Sequence, residues 1–280
     1  PSHGFTDGRD LPLGASGRIG TRNATSLLDV ATLETFFWDG RETDLDVVVL
    51  QPLTNAVEHG NPDLAAVEKT LNSIPEYREQ FKRLSGKPPN AKTAGEALAA
   101  YIRSLDRSIT RFERYLSNKG PIQLTHDELA GLDLFRGKAN CVSCHTIDNG
   151  TTPLTDGRFH HAGIGFDKIA GDITVLLERI NEAELHGDAL GRLILEDQEI
   201  AELGRFAITK EPADLGAFRT PTLRNVANTA PYMHDGSVAT LSDALERELY
   251  YRGIALGRPI ALTVEEQQQL LAFLRTLSIE

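Results

Sequence analysis

Cys141-Val142-Ser143-Cys144-His145 is the stretch on which the fold turns. Two thiols with two residues between them, followed at once by a histidine, have the spacing in which the thiols add to the vinyl groups of a haem and the imidazole reaches its iron. A zinc half-site would need two further clustered ligands, and the chain has only 2 cysteines. A disulfide framework is excluded on the same ground. The reading is a c-type haem attached through Cys141 and Cys144, with His145 as an axial ligand. Such attachment needs reduced thiols and an apparatus outside the cytoplasm. A periplasmic location and a removed signal sequence are therefore expected.

Outward from this motif the helices come into view. Thr125 with Glu128 has the form of a capping box and opens a helix, 125–138, that runs through Leu132 and Phe135 towards Cys141. Thr263 with Glu266 is a second box, heading a helix, 263–278, with Leu270, Leu271, Phe273, Leu274 and Leu277 on one stripe. Two such helices are what a cytochrome c fold packs around its haem. Further upstream, helical patterns run from about Ala65 to Leu84 and from Thr93 to Leu116. Ser117-Asn118-Lys119-Gly120-Pro121 then breaks the chain, and a second stop-rich zone runs from Asp148 to Gly171. The first thirty or so residues read as an extended, loop-like wrap. Val47-Val48-Val49-Leu50 is the only β-like run. The expected fold is mostly α with long loops, divided near residue 120 into units 1–120 and 121–280.

Composition narrows the function. The 280 residues are 25% charged and 40% hydrophobic, as in soluble globular proteins. A net charge of -11 argues against a nucleic-acid partner and is compatible with a basic protein partner. No apolar run approaches the length of a membrane span. Pro1 opens a polar, glycine-rich stretch instead of a signal peptide, so a processed or truncated product is expected.

Several blocks carry a family resemblance. They are Phe36-Phe37-Trp38-Asp39-Gly40-Arg41, Phe112-Glu113-Arg114-Tyr115, Phe159-His160, Gly216-Ala217-Phe218-Arg219-Thr220-Pro221-Thr222-Leu223-Arg224-Asn225-Val226 and Thr229-Ala230-Pro231-Tyr232-Met233-His234-Asp235-Gly236-Ser237. With the closing Leu262-Thr263-x-Glu265-Glu266, they span nearly the whole chain and resemble the bacterial di-haem cytochrome c peroxidases and their MauG-like relatives. The resemblance implies two cytochrome c-like domains, each holding a haem, with a calcium ion between them. It also places the first haem-attachment motif immediately before Pro1. Either the sequence is clipped there or one haem has been lost. Clipping is the expectation, since the residues that would serve that haem are present.

Trp38 resembles the tryptophan lying between the two haems, a ring suited to relaying an electron or a hole. Glu58 matches the distal carboxylate of the peroxide-binding haem, able to take a proton from one peroxide oxygen and deliver it to the leaving one. Pro52 matches a proline on the same open face. Asn23, Thr229 and Pro231 match calcium ligands, one side-chain oxygen and two backbone carbonyls, the hard donors that calcium prefers.

Two departures separate subfamilies. Peroxidases needing reductive activation carry a capping histidine where this chain has Ala15, and residues 14–23 contain none. The peroxide site is expected to be open in every oxidation state. Electron-storing peroxidases ligate the second haem with methionine; the single Met233 sits at a position not used for this. At the end of the helix after Thr240-Leu241 stands Glu248-Leu249-Tyr250-Tyr251-Arg252-Gly253. Resemblance to MauG-like proteins points to Tyr250 as the ligand, in a register loose by two residues that leaves Tyr251 open. A phenolate stabilises oxidised iron. His160 is expected to be a structural or propionate-side contact, and His161 to have no special role.

The implied function is a MauG-like oxidoreductase that uses hydrogen peroxide to form high-valent iron and oxidises a partner protein at a tryptophan. The alternatives are a conventional peroxidase drawing electrons from a small cytochrome, and a mono-haem electron carrier.

Overall fold

A computed structural model describes residues 3–105, 109–117, 122–147, 154–169, 172–185 and 190–279. The predicted boundary near residue 120, and most of the break at 117–121, lie outside the described residues, as does part of the 148–171 zone.

The N-terminal part wraps loosely until α1 (Leu45–Val48) and α2 (Gln51–Thr54), followed by α3 (Leu64–Ser73), α4 (Pro75–Ser85) and α5 (Ala91–Ser104). The β-like run from Val47 is therefore helical, not extended. Asp44 caps it by accepting from the Asp46 N–H, and Leu45 packs with Val30, Phe36 and Ala99, so burial and capping override β-branching. The expected helix from Ala65 to Leu84 is two helices. Pro75 excludes helical backbone at Ile74, which sits at φ -95, ψ 110 and ends one helix as it starts the next. The pattern from Thr93 to Leu116 is likewise split, with α6 (Arg111–Leu116) opened by its own Thr110–Glu113 capping box.

Both capping boxes read from the sequence are formed, at the heads of α7 (His126–Arg136) and α13 (Val264–Thr276). These helices cross at Gly131. A Cβ there would lie 2.0 Å from the Gln269 carbonyl oxygen, so only glycine allows the approach. Phe273 meets Phe135 and Phe112 edge-on, at 5.1 and 5.0 Å between ring centres. Phe112 belongs to α6, so this helix, assigned by the sequence reading to the first unit, packs in the core of the second.

Between the halves of that core lie α8 (Ile173–Leu185), α9 (Leu190–Glu196), α10 (Gln198–Glu202) and α11 (Phe206–Thr209). Leu176, Ile180, Ile194, Ile200 and Leu203 give them a core of their own, which the sequence reading did not anticipate. A two-residue antiparallel pair, β1 (Phe159–His160) and β2 (Phe218–Arg219), is the only sheet among the described residues. α12 (Leu241–Ala255) completes the set.

Residues 21–41 are clasped by the C-terminal half. Thr21 donates to the Ile194 carbonyl at 2.6 Å, the Arg219 N–H to that of Trp38 at 2.8 Å, and Arg205 to those of Asp39 and Gly40 at 2.9 and 2.8 Å. Arg224, buried, pairs with Asp29 at 2.5 Å and with Glu113 of α6. Removing one partner of such a buried group costs about 3–5 kcal/mol. No described helix is long and apolar enough to cross a membrane.

Candidate functional site

A cavity opens where α12, the end of α7, the 141–145 motif and the clasped N-terminal segment meet. Cys141, Cys144, His145, Trp38, Asn23, Thr229 and Pro231 all line it. Cys141 and Cys144 form no disulfide with each other. Burial pushes the Cys141 thiol up to about 12 and the His145 imidazole down to about 4. His145 is thus neutral, and its Nδ1 lies 2.9 Å from the Leu154 carbonyl oxygen. An N–H donated there leaves the lone pair on Nε2, the arrangement an axial ligand needs. The donor set therefore fits a covalent haem.

Arg252 of α12 donates to Ser143 Oγ and Cys144 Sγ, both at 2.7 Å. His160 Nε2 sits 2.7 Å from Asp156 Oδ2 and 3.4 Å from Cys144 Sγ. These three could meet a metal ion. Were Cys144 taken up in a haem thioether, only two donors would remain, too few for a zinc site. His160 and His161 both line the cavity.

Trp38 stands on the same wall. Its Nε1–H donates to the Asn23 carbonyl at 2.9 Å, and His234 lies edge-on, 6.4 Å between centroids. The Asn23 side chain donates through Nδ2 to the carbonyls of Arg9 and Asp10, at 2.8 and 3.1 Å, which turns Oδ1 into the atom available for a cation. Behind Trp38 lies a buried network the sequence reading missed. His234 stacks on Phe218 at 3.6 Å and is hydrogen-bonded to Glu202 at 2.6 Å, while Lys168 bridges Glu202 and Asp235. Burial alone would raise the Glu202 carboxyl, but the His234 hydrogen bond and the charge of Lys168 hold it below the usual range. The ammonium occupies the place a metal would take between these carboxylates. Glu202 lies in a helix whose polar ends hid its apolar period.

Pro52 and Glu58 are brought together elsewhere. The His59 N–H donates to the Pro52 carbonyl at 3.1 Å, and the Glu58 carbonyl accepts from Ala15 of the loop lacking histidine. A Cβ on Gly14 would fall 1.7 Å from the Val57 oxygen, so this loop is pressed flat on the Glu58 turn. Burial raises the Glu58 carboxyl, opposed by the charge of Arg41. Neither Pro52 nor Glu58 lines that cavity.

The residues of α12 that line the cavity are Leu241, Ala244, Leu245, Glu248, Leu249, Arg252 and Ala255, one helical stripe. Tyr250 points the other way. It is 65% exposed, beside Ile254, Pro259 and Ile260 in an outer groove. Tyr251 is half-buried against Gly163 and also off the stripe. The expected Tyr250 donor is therefore not brought to the haem motif; a two-residue shift in register, one half-turn of helix, separates it from the stripe. Met233 does line the cavity, from the 231–234 turn.

Comparison with known proteins bears on this geometry. Residues 1–120 match the family of di-haem cytochrome c peroxidases. The chain is 32% identical over 292 residues to cytochrome-c peroxidase IdrP1 of Pseudomonas sp. (strain SCT), covering all of this chain and 74% of that protein. It is 30% identical to the methylamine utilization protein MauG of Methylorubrum extorquens, covering 100% of this chain and 71% of that protein. Among solved structures, a MauG-like protein associated with microbial copper homeostasis superposes with a TM-score of 0.76 at 29% identity, over 100% of this chain and 81% of the other.

Proposed function

The chain belongs to the di-haem cytochrome c peroxidase family and is a haem peroxidase-type oxidoreductase, and within that family we propose that it is a MauG-like enzyme, oxidising a partner protein with hydrogen peroxide. Two c-type haems, one on Cys141 and Cys144 and one on an attachment motif upstream of Pro1, would supply the redox chemistry by accepting the two oxidising equivalents of peroxide. Units 1–120 and 121–280 each serve one of them, with α6 lent to the second core.

The protein groups do the rest. Glu58 takes the proton from one peroxide oxygen and returns it to the leaving one. The flat 14–15 loop carries no side chain able to cap the iron. Trp38, fixed by its bond to the Asn23 carbonyl, relays electrons from the His145 side towards the peroxide-reducing site of the N-terminal unit. Asn23 Oδ1 and the carbonyls of Thr229 and Pro231 would hold calcium, tying the relay to the C-terminal half. A periplasmic location follows from the chemistry of haem attachment. The acidic chain, at -11, suits a basic docking partner, whose oxidised residue is taken to be tryptophan as in the sequence-based expectation.

One observation carries the MauG-like reading: the α12 stripe beside His145 presents a carboxylate and no thioether. A thioether would favour reduced iron and electron storage; an oxygen donor favours oxidised iron. Met233 on the cavity wall is what speaks for the conventional peroxidase. The test is haem content together with turnover of peroxide against reduced small cytochrome. Two haems per chain, a spectral response to stoichiometric peroxide and negligible cytochrome oxidation are expected. Rapid cytochrome turnover would establish the conventional reading, and one haem without peroxide response a mono-haem carrier.

A further inference from the structure

Glu248 is a cavity-lining carboxylate with no hydrogen bond or ion pair to a described residue. It stands mid-stripe on α12, one turn before the Arg252 that bonds Cys144. Its electrostatic neighbours are Arg252, His160 and Cys141, so it belongs to the surroundings of the attachment motif. The flanking stripe positions, Ala244, Leu245 and Leu249, are apolar and buried. Glu248 itself is exposed to the cavity, and a haem filling that space would take its carboxylate out of water, into a setting where it needs a cation to compensate it. Arg252 is already engaged with Ser143 and Cys144. The ferric iron and its porphyrin ring together carry one net positive charge, apart from the propionates, and a single carboxylate bound to the iron makes that core neutral in an apolar setting.

We propose that Glu248 supplies the second protein donor to the haem held by Cys141, Cys144 and His145. Resting on the MauG-like reading, it names the oxygen donor that reading requires and replaces the tyrosine with an acid. Reduction would leave the carboxylate–haem unit with a net negative charge amid apolar side chains, so Glu248 favours the ferric state. Tyr250 fails as the donor because it faces solvent, and Tyr251 because it is wedged on Gly163. Met233 comes from a turn beside Trp38, not from the α12 stripe.

The experiment compares resting, haem-loaded protein without peroxide, so it does not depend on turnover. Haem per chain, the ferric absorption and electron paramagnetic resonance spectra, and the reduction potential are measured for Glu248→Ala, Glu248→Met, Tyr250→Phe, Tyr251→Phe and Met233→Leu. The expected result is a changed ferric spectrum only in the Glu248 variants, with a potential raised in Glu248→Met. Glu248→Gln, equal in shape and without charge, covers an alanine variant that fails to load haem. A Glu248→Gln or Glu248→Ala protein with unchanged spectrum and potential overturns the proposal. So does a spectrum that responds to Tyr251→Phe or Met233→Leu instead. Loss of peroxide activity with these spectral results intact would count against the enzymatic reading alone.

Discussion

Glu58 is held in a compromise that function and stability read with opposite signs. Burial raises its carboxyl above the ordinary 4.5, against the pull of Arg41. The ionised form has to accept the first peroxide proton, so the acidic limb of kcat/KM for peroxide should lie above pH 4.5. Glu58→Gln should abolish that limb and slow peroxide reduction about 10²–10⁴-fold, the usual worth of a positioned acid–base group. In stability the sign reverses. A carboxyl with a raised folded pKa contributes stability below its unfolded pKa and loses it as pH rises through the folded value. Glu58→Gln should therefore melt higher than the parent at pH 7 and no higher at pH 4, by differential scanning calorimetry. That Cys141, Cys144 and His145 share one cavity was legible because their spacing is local and fixed. Which α12 side chains line the cavity was not, since the face of a helix that looks inward depends on packing that a two-residue slip reverses.

At the scale of elements, close approach and buried charge set the weak points. Gly131→Ala forces a methyl into the Gln269 carbonyl, and the crossing of α7 and α13 must open to admit it. Overpacking of this kind costs about 1–3 kcal/mol, and a fall in the urea midpoint with little change in slope would register it. Arg224→Ala removes the buried cation between Asp29 and Glu113 and should cost about 3–5 kcal/mol. The boxes at Thr125 and Thr263 could be read directly because each follows a break in the apolar period, whereas Thr110–Glu113 lay hidden inside the pattern read from Thr93 to Leu116. The split at Pro75 follows from a rule equally local, although the apolar period concealed it. The helical state of Val47–Val49 depends on Leu45 reaching Val30 and Phe36, a contact no local pattern announces.

The whole molecule is joined by the segment 21–41, which starts in one half and is bonded along its length by the other. If calcium sits on Asn23, Thr229 and Pro231, it pins that join. Chelation should then lower the melting temperature and slow electron transfer between the haems, and calcium addition should restore both. Metal analysis should find one calcium per chain, and Asn23→Ala should lose it. The mostly helical architecture was legible from composition and period. The insertion of α8–α11 with its own core was not, because short helices leave too few turns for a period to declare itself.

Trp38 is the only tryptophan in 280 residues, and it lies on the wall of the cavity that contains the haem motif. The tryptophan emission of this chain, excited selectively over its tyrosines, therefore comes from one ring on the cavity wall. A haem beside that ring would quench it by energy transfer. The haem-loaded chain should be nearly dark, and should brighten only as the cavity opens. Nature has left a dye-free gauge of assembly at the junction, readable in a cuvette during unfolding or calcium withdrawal.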